Sequence, residues 1–460
     1  MYPLINKTIV RLLTLIIALC IASISVCSAQ DEKPQTLTLE QAITSAVEHS
    51  PALAAARERK IKSEWAARES STLDNLKLNG TLNYAHISPV STFTMPGPTG
   101  PITVQVRPPS TTTINGTLSK PIDIFGKIGL AQNISKLQVD IQTQAEALAL
   151  QKLIADVKSA YFGVLRAQAA VEVANSALTA AQERLRTAKA QYEVGAAPKF
   201  DMTRAEVDVA NYTQSLTQAQ NAVKLAKAAL NQTIGVDVST EFELVPEDTD
   251  VQPVTVDIAE CTEQALKKRP EMVQALTGIE LAQKGISLAR KDNSPTVGLF
   301  LSTDWTSETS AFSSNKTTYT YGASISWPIW TGGQTTAKVS QAKSDLEIAK
   351  LGLEQAKLGV ELDVRSAALN MMDASSRVGA AKSNVALAEE ALRLAKVRYR
   401  EGVSTQVEVT DAEAALTLAR TNYINAVYDY LTAKAQFERA TCSQPEFTKL
   451  AAADKSNTTR

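Results

Sequence analysis

The hydrophobic positions of this chain follow a seven-residue spacing over unusually long segments. After residue 150, large apolar side chains recur every seven residues, and alanine stands three residues after each of the first five. The large set is Val157, Val164, Val171, Leu178, Leu185 and Tyr192, and the small set is Ala160, Ala167, Ala174, Ala181 and Ala188. A seam of this kind allows helices to pack closely as a coiled coil. The pattern predicts helices far longer than the usual ~10–14 residues.

The same pattern occurs a second time. A shift of 207 residues superimposes the two seams without a gap from Pro121 to about Gly235, and an earlier match of 39–53 with 258–272 needs a shift of 219. We therefore predict two structural repeats, at 30–240 and 254–445, joined by a linker at 241–253. The first is expected to hold helices at 39–75, strands at 76–86 and 113–122, and a helical hairpin at 127–235. The second is expected to hold helices at 257–292, strands at 296–305 and 319–330, and a hairpin at 334–441, followed by a disordered tail at 446–460.

Each hairpin turns at a repeated motif. Tyr192 stands three residues before Gly195, and Asp201 follows that glycine by six residues. The second copy has the same spacing, in Tyr399, Gly402 and Glu408. Glycine commonly ends a helix in a left-handed conformation, and a carboxylate suits the first turn of the next helix. The motif therefore predicts a tight helical turn in each repeat.

The four predicted strands alternate apolar and polar residues over about ten positions each. Such strands have one apolar and one polar face, and their length suits a tilted strand in a membrane barrel. One chain provides too few strands to close a barrel, and open sheet edges are not tolerated in lipid, so several chains would have to share one barrel. A soluble sheet face is the alternative. The segments at 88–110 and 307–318, rich in proline, glycine, serine and threonine, are expected to be loops.

Composition narrows the class of protein further. The chain has 460 residues, a net charge of -1, two histidines and only 5% aromatic residues. No metal-ligand spacing, phosphate-binding loop or nucleophile motif is present, so neither an enzyme nor a nucleic-acid-binding protein is indicated, and no cofactor is expected.

The N-terminus has the character of a secretory signal peptide at 1–29. Lys7 and Arg11 precede an apolar run at 12–26, and small residues precede Gln30. A retained membrane helix, and lipidation at Cys20 or Cys27, remain alternatives. An exported chain keeps Cys261 and Cys442, which could form a disulfide or remain two free thiols.

The doubled helix–strand–strand–helix layout, the two Tyr-x-x-Gly turns, and the strand ends "SKPI" and "SWPIW" together resemble the TolC family of outer-membrane efflux proteins. The resemblance implies an α+β membrane protein. Its homotrimer would form a twelve-stranded β-barrel, with four strands per chain, that continues into a long periplasmic tunnel of coiled-coil helices. The implied function is a passive exit duct of a tripartite efflux or type I secretion system in the outer membrane. Its partners would be a periplasmic adaptor, an inner-membrane pump of the RND, ABC or MFS type, and outer-membrane lipid. A periplasmic coiled-coil scaffold or adaptor without a barrel is the alternative.

The resemblance also implies roles for residues at the hairpin turns. Glu408 and Asp411 match the acidic ring at the tunnel entrance, although a helix N-terminal charge alone also explains Glu408. Tyr399 and Asp201 match a pair that holds the closed state. Ser404 stands where the family has a basic residue, so a second closing bond is expected to be missing.

The turns themselves would meet the adaptor. The residues implied in that docking are Tyr192, Gly195, Gly402 and Ser404.

Overall fold

The computed structural model describes residues 35–106, 108–247, 251–308 and 315–450. The predicted signal peptide, including Cys20 and Cys27, lies outside the described residues, as do 451–460 of the predicted tail. Within the described ranges, no helix combines the length and the apolar character that a membrane span requires.

In chain order the elements are β1 (Gln35–Leu37), α1 (Leu39–His49), α2 (Pro51–Ser71), β2 (Lys77–His86), β3 (Thr92–Gly97), β4 (Gly100–Gln105), β5 (Ser110–Ile122), α3 (Lys127–Glu193), α4 (Lys199–Ile234), β6 (Phe242–Leu244), α5 (Ile258–Lys268), α6 (Pro270–Arg290), a 3₁₀ turn (Lys291–Asn293), β7 (Thr296–Thr306), β8 (Thr317–Ser326), α7 (Gln334–Arg400) and α8 (Gln406–Ala440).

Two very long helical hairpins dominate the structure. Helices α3 and α7 contain 67 residues each, which at 1.5 Å per residue is about 100 Å. The Tyr-x-x-Gly motif closes both turns in the same way. Gly195 N donates to the Tyr192 carbonyl at 2.9 Å, and Gly402 N donates to the Tyr399 carbonyl at 3.1 Å. Both glycines have φ near +75°, at 77° and 72°, a region that glycine enters without steric cost.

The helices form one layer with the same order at two levels. Near the turns the order is α4, α3, α8 and α7, and near the sheet it is α2, α3, α6 and α7. Helix α2 continues the line of α4. Gly235, at the end of α4, lies against the junction of α1 and α2, so that a Cβ on Gly235 would stand only 2.5 Å from the His49 carbonyl oxygen. Helix α6 continues α8 in the same way, with Arg269 donating to the Ala440 carbonyl at 3.4 Å. The short helices thus complete the length that α4 and α8 lack.

The predicted helices at 39–75 and 257–292 are each broken into two. Pro51 and Pro270 stand at the first turn of α2 and α6, and the preceding Ser50 and Arg269 are extended. A residue before proline is disfavoured from the helical region, so the chain ends one helix there and starts the next.

The heptad seams are the core of the layer. Val157 and Val164 in α3 and Val364 in α7 are completely buried, and Ala374 is nearly so. The largest cluster lies around α1 and the two-stranded parallel sheet of β1 and β6. There the buried Tyr161 hydroxyl lies 3.0 Å from the Leu37 carbonyl oxygen and 2.7 Å from that of Val245. Burial and the nearby Glu247 raise the pKa of Tyr161 to about 12.

The four long strands form one antiparallel sheet in the order β2, β5, β7, β8. Its register places Leu118 opposite both Leu78 and Leu301, while the next position, Thr117, lies opposite Asn79 and Ser302. One face is therefore apolar and the other polar across the sheet. Strands β2 and β8 are its edges, and within the described residues neither edge pairs with another strand.

Three predictions at the ends of elements need correction. Strand β8 ends at Ser326, earlier than the predicted residue 330, because Pro328 cannot continue a ladder. The predicted loop at 88–110 contains the hairpin of β3 and β4, which turns at Gly100 with φ 131°. The predicted disordered tail begins too early, since residues 445–450 are helical and Phe447 and Leu450 pack on the cluster around α1.

Candidate functional site

The two hairpin turns lie side by side at the far end of the helical layer. Tyr192, Gly195 and Gly402 are exposed there, while the Ser404 hydroxyl is buried without a hydrogen-bond partner. Exposed apolar side chains accompany them, namely Val194, Phe200 and Val403. The turns thus present a surface of mixed apolar and polar character.

The expected pair of Tyr399 and Asp201 is not formed in this chain. Among the described residues no hydrogen bond joins the Tyr399 hydroxyl to Asp201. Asp201 instead lines a small pocket with Arg184 and Arg204, across from the first turn of α8 at Gln406. The two hairpins meet at this point through different side chains.

Arg184 and Glu413 make the contact between the hairpins. Arg184 lies on α3 and Glu413 on α8, with Nε 3.0 Å from Oε2, and their side chains are only 12% and 10% exposed. Arg184 also donates through Nη1 to the Thr410 hydroxyl at 2.9 Å and lies 3.8 Å from Asp208 of α4. Lys396 of α7 approaches the other Glu413 oxygen at 3.3 Å. One charge cluster therefore touches all four long helices.

The energetics of this cluster come from burial. The Arg184 Nε–H does not point at the Glu413 oxygen, so the contact is a charge pair rather than a directed hydrogen bond. Two opposite charges at this distance attract strongly when water is largely excluded, and either charge left alone there is costly. Separating the hairpins would expose both charges to solvent and break the Thr410 hydrogen bond. We define these side chains, Arg184, Asp208, Lys396, Thr410 and Glu413, as the inter-hairpin cluster.

The predicted entrance acids differ in their surroundings. The Glu408 carboxylate lies 3.3 Å from Arg398 of α7, and both side chains are about half exposed. Asp411, one turn further along α8, is exposed and has no ion pair among the described residues. Arg398 partly offsets the negative charge of Glu408. Of these two acids, Asp411 therefore contributes more to the negative potential at the start of α8.

A second charged site lies where the helices meet the sheet. Asp292, in the 3₁₀ turn, accepts from Lys338 of α7 at 2.6 Å and from Lys127 of α3 at 2.9 Å. These hydrogen bonds, that of Lys338 first, lower the pKa of the Asp292 carboxyl. The neighbouring Asn293 accepts from the Thr335 hydroxyl through its side chain, at 2.5 Å, and from the Trp327 indole through its backbone carbonyl, at 3.1 Å. The turn thereby fixes the starts of both long helices.

A third buried cluster surrounds Arg269, at the junction of α5 and α6. Its guanidinium lies 2.6 Å from Glu271 and 2.7 Å from Asp363, which also pairs with Arg439 at 3.0 Å. Burial opposes the charged form, but the hydrogen bonds to Glu271 and Asp363 outweigh it and raise the pKa of Arg269. This cluster joins α6, α7 and α8.

Cys261 and Cys442 are free thiols, so the disulfide that the sequence left open is not formed here. Burial raises the pKa of both Cys261 and Cys442, which keeps them protonated. In the described part of the chain, no group of three histidine, cysteine or acidic side chains is placed to hold a metal ion.

Known proteins resemble this chain in sequence and in fold. The family model described as outer membrane efflux protein matches residues 42–236 and 261–443. Outer membrane efflux protein BepC of Brucella suis is 24% identical over 228 residues, 48% of this chain and 49% of the relative. Alkaline protease secretion protein AprF of Pseudomonas aeruginosa is 25% identical over 293 residues, 62% of this chain and 60% of the relative. Outer membrane protein TolC of Vibrio cholerae is 27% identical over 295 residues, 63% of this chain and 67% of the relative. The chain thus matches about half the length of BepC.

Solved structures share the fold at lower identity. A structure of CusC has a TM-score of 0.74 at 17% identity, covering 88% of this chain and 91% of that one. The outer membrane protein VceC of Vibrio cholerae has a TM-score of 0.72 at 18% identity, covering 88% of this chain and 95% of its own. The two related repeats and the four-stranded sheet shared between them agree with the matching family model. This chain belongs to the outer membrane efflux protein family.

Proposed function

We propose that three copies of this chain form an outer-membrane exit channel, a twelve-stranded barrel continued by a helical tunnel. The observation that carries the proposal is the shared order of the sheet and of both helical levels. The sheet and each helical level are a single layer of four elements. In every layer two neighbouring elements come from the first repeat and the other two come from the second. A layer that keeps this order over its whole length has one continuous open edge on each side, and rotation-related copies would close both edges together.

The sheet supports a membrane location for its apolar face. Leu78, Leu82, Tyr321 and Ile325 all lie on that face, and all are strongly exposed in the single chain. A contiguous face of exposed apolar side chains marks a contact with lipid or with another protein. In lipid, unpaired strand edges are not tolerated. Pairing β8 of one copy with β2 of the next satisfies both requirements.

The helices support the same arrangement of copies as the sheet, with the second repeat of one copy beside the first repeat of the next. Helix α7 carries a second apolar stripe at spacings of three, four or seven residues, and these side chains are exposed in the described part of the single chain. The stripe consists of Ile348, Leu351, Leu358, Leu362 and Leu369. A stripe with coiled-coil spacing is expected to pack on another helix. The open helices on the opposite side of the layer are α2 near the sheet and α4 toward the turns.

The turns are the proposed entrance and docking surface. Their exposed apolar residues would receive the helical tips of a periplasmic adaptor, which links the channel to an inner-membrane pump. The inter-hairpin cluster would hold the entrance closed, and Glu408 and Asp411 of three copies would form its acidic ring. Relatives named for protease secretion and for efflux match the chain about equally, so the cargo would be set by the pump.

Two measurements test the proposal together. The exported protein should require detergent for extraction from the outer membrane and should run as a heat-sensitive trimer by size-exclusion chromatography with light scattering. The same material should conduct ions in planar lipid bilayers. A protein released without detergent would instead be the periplasmic scaffold or adaptor, and the channel proposal would be wrong.

A further inference from the structure

Equivalent positions in the two repeats differ sharply in burial. Helices α3 and α7 have the same length and are related by a shift of 207 residues, which pairs Gln151 with Leu358 and Ala155 with Leu362. Gln151 is 3% exposed and Ala155 is buried, whereas Leu358 and Leu362 are 66% and 69% exposed. Large apolar residues thus lie in solvent where the other repeat buries a glutamine and an alanine.

The chain's own C-terminal end covers the first-repeat position. Gln444, which follows α8, donates through its side-chain amide to the Gln151 carbonyl at 3.3 Å. Lys158, one turn from Ala155 and only 5% exposed, pairs with Glu438 at 2.8 Å and Glu446 at 3.1 Å. The end of α8 and the residues after it therefore seal the groove between α1 and α3.

The matching groove of the second repeat is open. It lies between α5 and α7, with a volume of about 740 Å³, and Leu266, Leu358, Leu362 and Arg365 are among its lining residues. Arg365 is the equivalent of Lys158, but it is exposed and has no ion pair among the described residues. The groove combines an apolar floor with charged side chains at its margin, namely Arg365, Glu263 and Glu361.

The segment equivalent to the one that seals the first groove follows α4. Both helices end in the same turn, in which Val236 N donates to the Asn231 carbonyl at 3.1 Å and Ser443 N donates to the Glu438 carbonyl at 2.9 Å. The cap residues Gly235 and Cys442 both have positive φ, 89° and 55°. The shift of 207 residues therefore holds through the turn.

The three residues that follow this turn in the first repeat, Asp237, Val238 and Ser239, are exposed. Asp237 is the equivalent of Gln444, and Ser239 is the equivalent of Glu446. They cannot seal the groove of their own chain, because α4 and α7 stand at opposite ends of the helical layer.

We propose that this segment, 237–239, seals the α5–α7 groove of a second copy of the chain. The inference rests on the proposed function, since only a ring of copies brings α4 of one copy beside α7 of the next. The relation of α4 to that α7 then repeats the relation of α8 to α3 within one chain. Val238 covers the apolar floor formed by Leu358 and Leu362. By the same relation Asp237 lies beside Leu358, as Gln444 does beside Gln151, and Ser239 lies on the side of Arg365, as Glu446 does on the side of Lys158.

The two grooves differ in polarity: the α1–α3 groove is closed by polar contacts, whereas the α5–α7 groove is lined by leucines. The groove within the chain uses polar contacts, through Gln151, Lys158 and the acids that pair with Lys158. The groove between copies offers leucines in place of Gln151 and Ala155, and a valine reaches them. A contact between separate chains has no covalent connection to hold it, so a larger apolar area suits it.

Paired cysteines test the inference. In a background without the four native cysteines, we would combine Asp237→Cys with Leu358→Cys, and separately Ser239→Cys with Leu362→Cys. Detergent-extracted protein would be treated with a short bis-maleimide and run on denaturing gels. We expect covalent dimers and trimers from both pairs and monomers from each single variant. A matched control joins Asp237→Cys with Leu387→Cys, an exposed α7 leucine nearer the turns, and should stay monomeric.

The outcomes separate the inference from the proposed function. Cross-linked trimers from both pairs support the inference. A trimer by light scattering without cross-links from either pair overturns the inference and leaves the channel proposal standing. A monomer in detergent overturns both.

Discussion

Neutralising Glu413 should loosen the two hairpins at the entrance. Glu413→Gln keeps the size of the side chain but removes the charge that faces Arg184 and Lys396. Arg184 then keeps only the more distant Asp208, at 3.8 Å, and Lys396 loses the carboxylate that it approaches. Because the cluster lies near the turns and touches all four long helices, its loss should favour the separated hairpins.

The magnitude follows from burial. Removing one partner of a fully buried ion pair costs about 3–5 kcal/mol. The side chains here retain 12% and 10% exposure, and Arg184 keeps its hydrogen bond to Thr410. A value below that range, about 2 kcal/mol, is therefore the better guide, since solvent screens part of the charge. That free energy corresponds to a change of about 30-fold in the equilibrium between closed and separated hairpins.

Resting conductance in planar bilayers is the assay, and Glu389→Gln is the matched control. Glu389 lies on α7 and contacts Arg420 of α8 at 2.8 Å, but both belong to one hairpin and are 50% and 42% exposed. We expect Glu413→Gln to raise the open probability of the channel and Glu389→Gln to leave it unchanged. Equal behaviour of the two variants would show that burial between hairpins does not hold the entrance.

Three further predictions concern other sites. Tyr399→Phe should leave resting conductance unchanged, because the Tyr399 hydroxyl has no hydrogen-bond partner among the described residues. A clear rise in conductance would instead support the expected bond to Asp201. Replacing Glu408 and Asp411 with Gln and Asn should reduce cation selectivity, measured as the reversal potential in a KCl gradient, whereas Glu401→Gln, a neighbouring acid in the turn, should not. Asp292→Asn should lower the melting temperature at neutral pH. The lowered pKa of Asp292 means that its stabilisation is present above the ordinary carboxyl range and is lost as pH falls through its folded value. The difference between variant and unmodified protein should therefore shrink in acid, and a constant difference from pH 7 to pH 3 would contradict this reasoning.

The heptad pattern located the long helices well because seams repeat over many turns. The hairpins expected at 127–235 and 334–441 are helices that begin at Lys127 and Gln334 and return to Ile234 and Ala440. The ribbon of β3 and β4 was missed because its prolines and glycines are typical of loops. Its register depends on the turn at Gly100 and on the pairing of Phe93 with Val104, which no local pattern reveals.

The inter-hairpin cluster was not predictable from local sequence. Arg184 and Glu413 each sit among many charged residues on helices that are mostly solvated, and the partners lie more than two hundred residues apart. The heptad pattern places both next to seam positions but does not state which helices become neighbours. The order α4, α3, α8, α7 makes that assignment, and only then do these two charges become buried together.

The equal length of α3 and α7 restricts how such a chain can change. Both contain 67 residues, start at the sheet and end at a turn. Deleting seven residues from α3 alone would withdraw its turn by about 10 Å and leave Arg184 without Glu413. A matched seven-residue deletion in all four long helices would preserve the facing residues beyond it, because α4 and α8 return from the same turns and stack on α2 and α6. Evolution, or an engineer, could therefore adapt the reach of this protein to a thinner or thicker cell envelope only by matched edits to both halves of the gene.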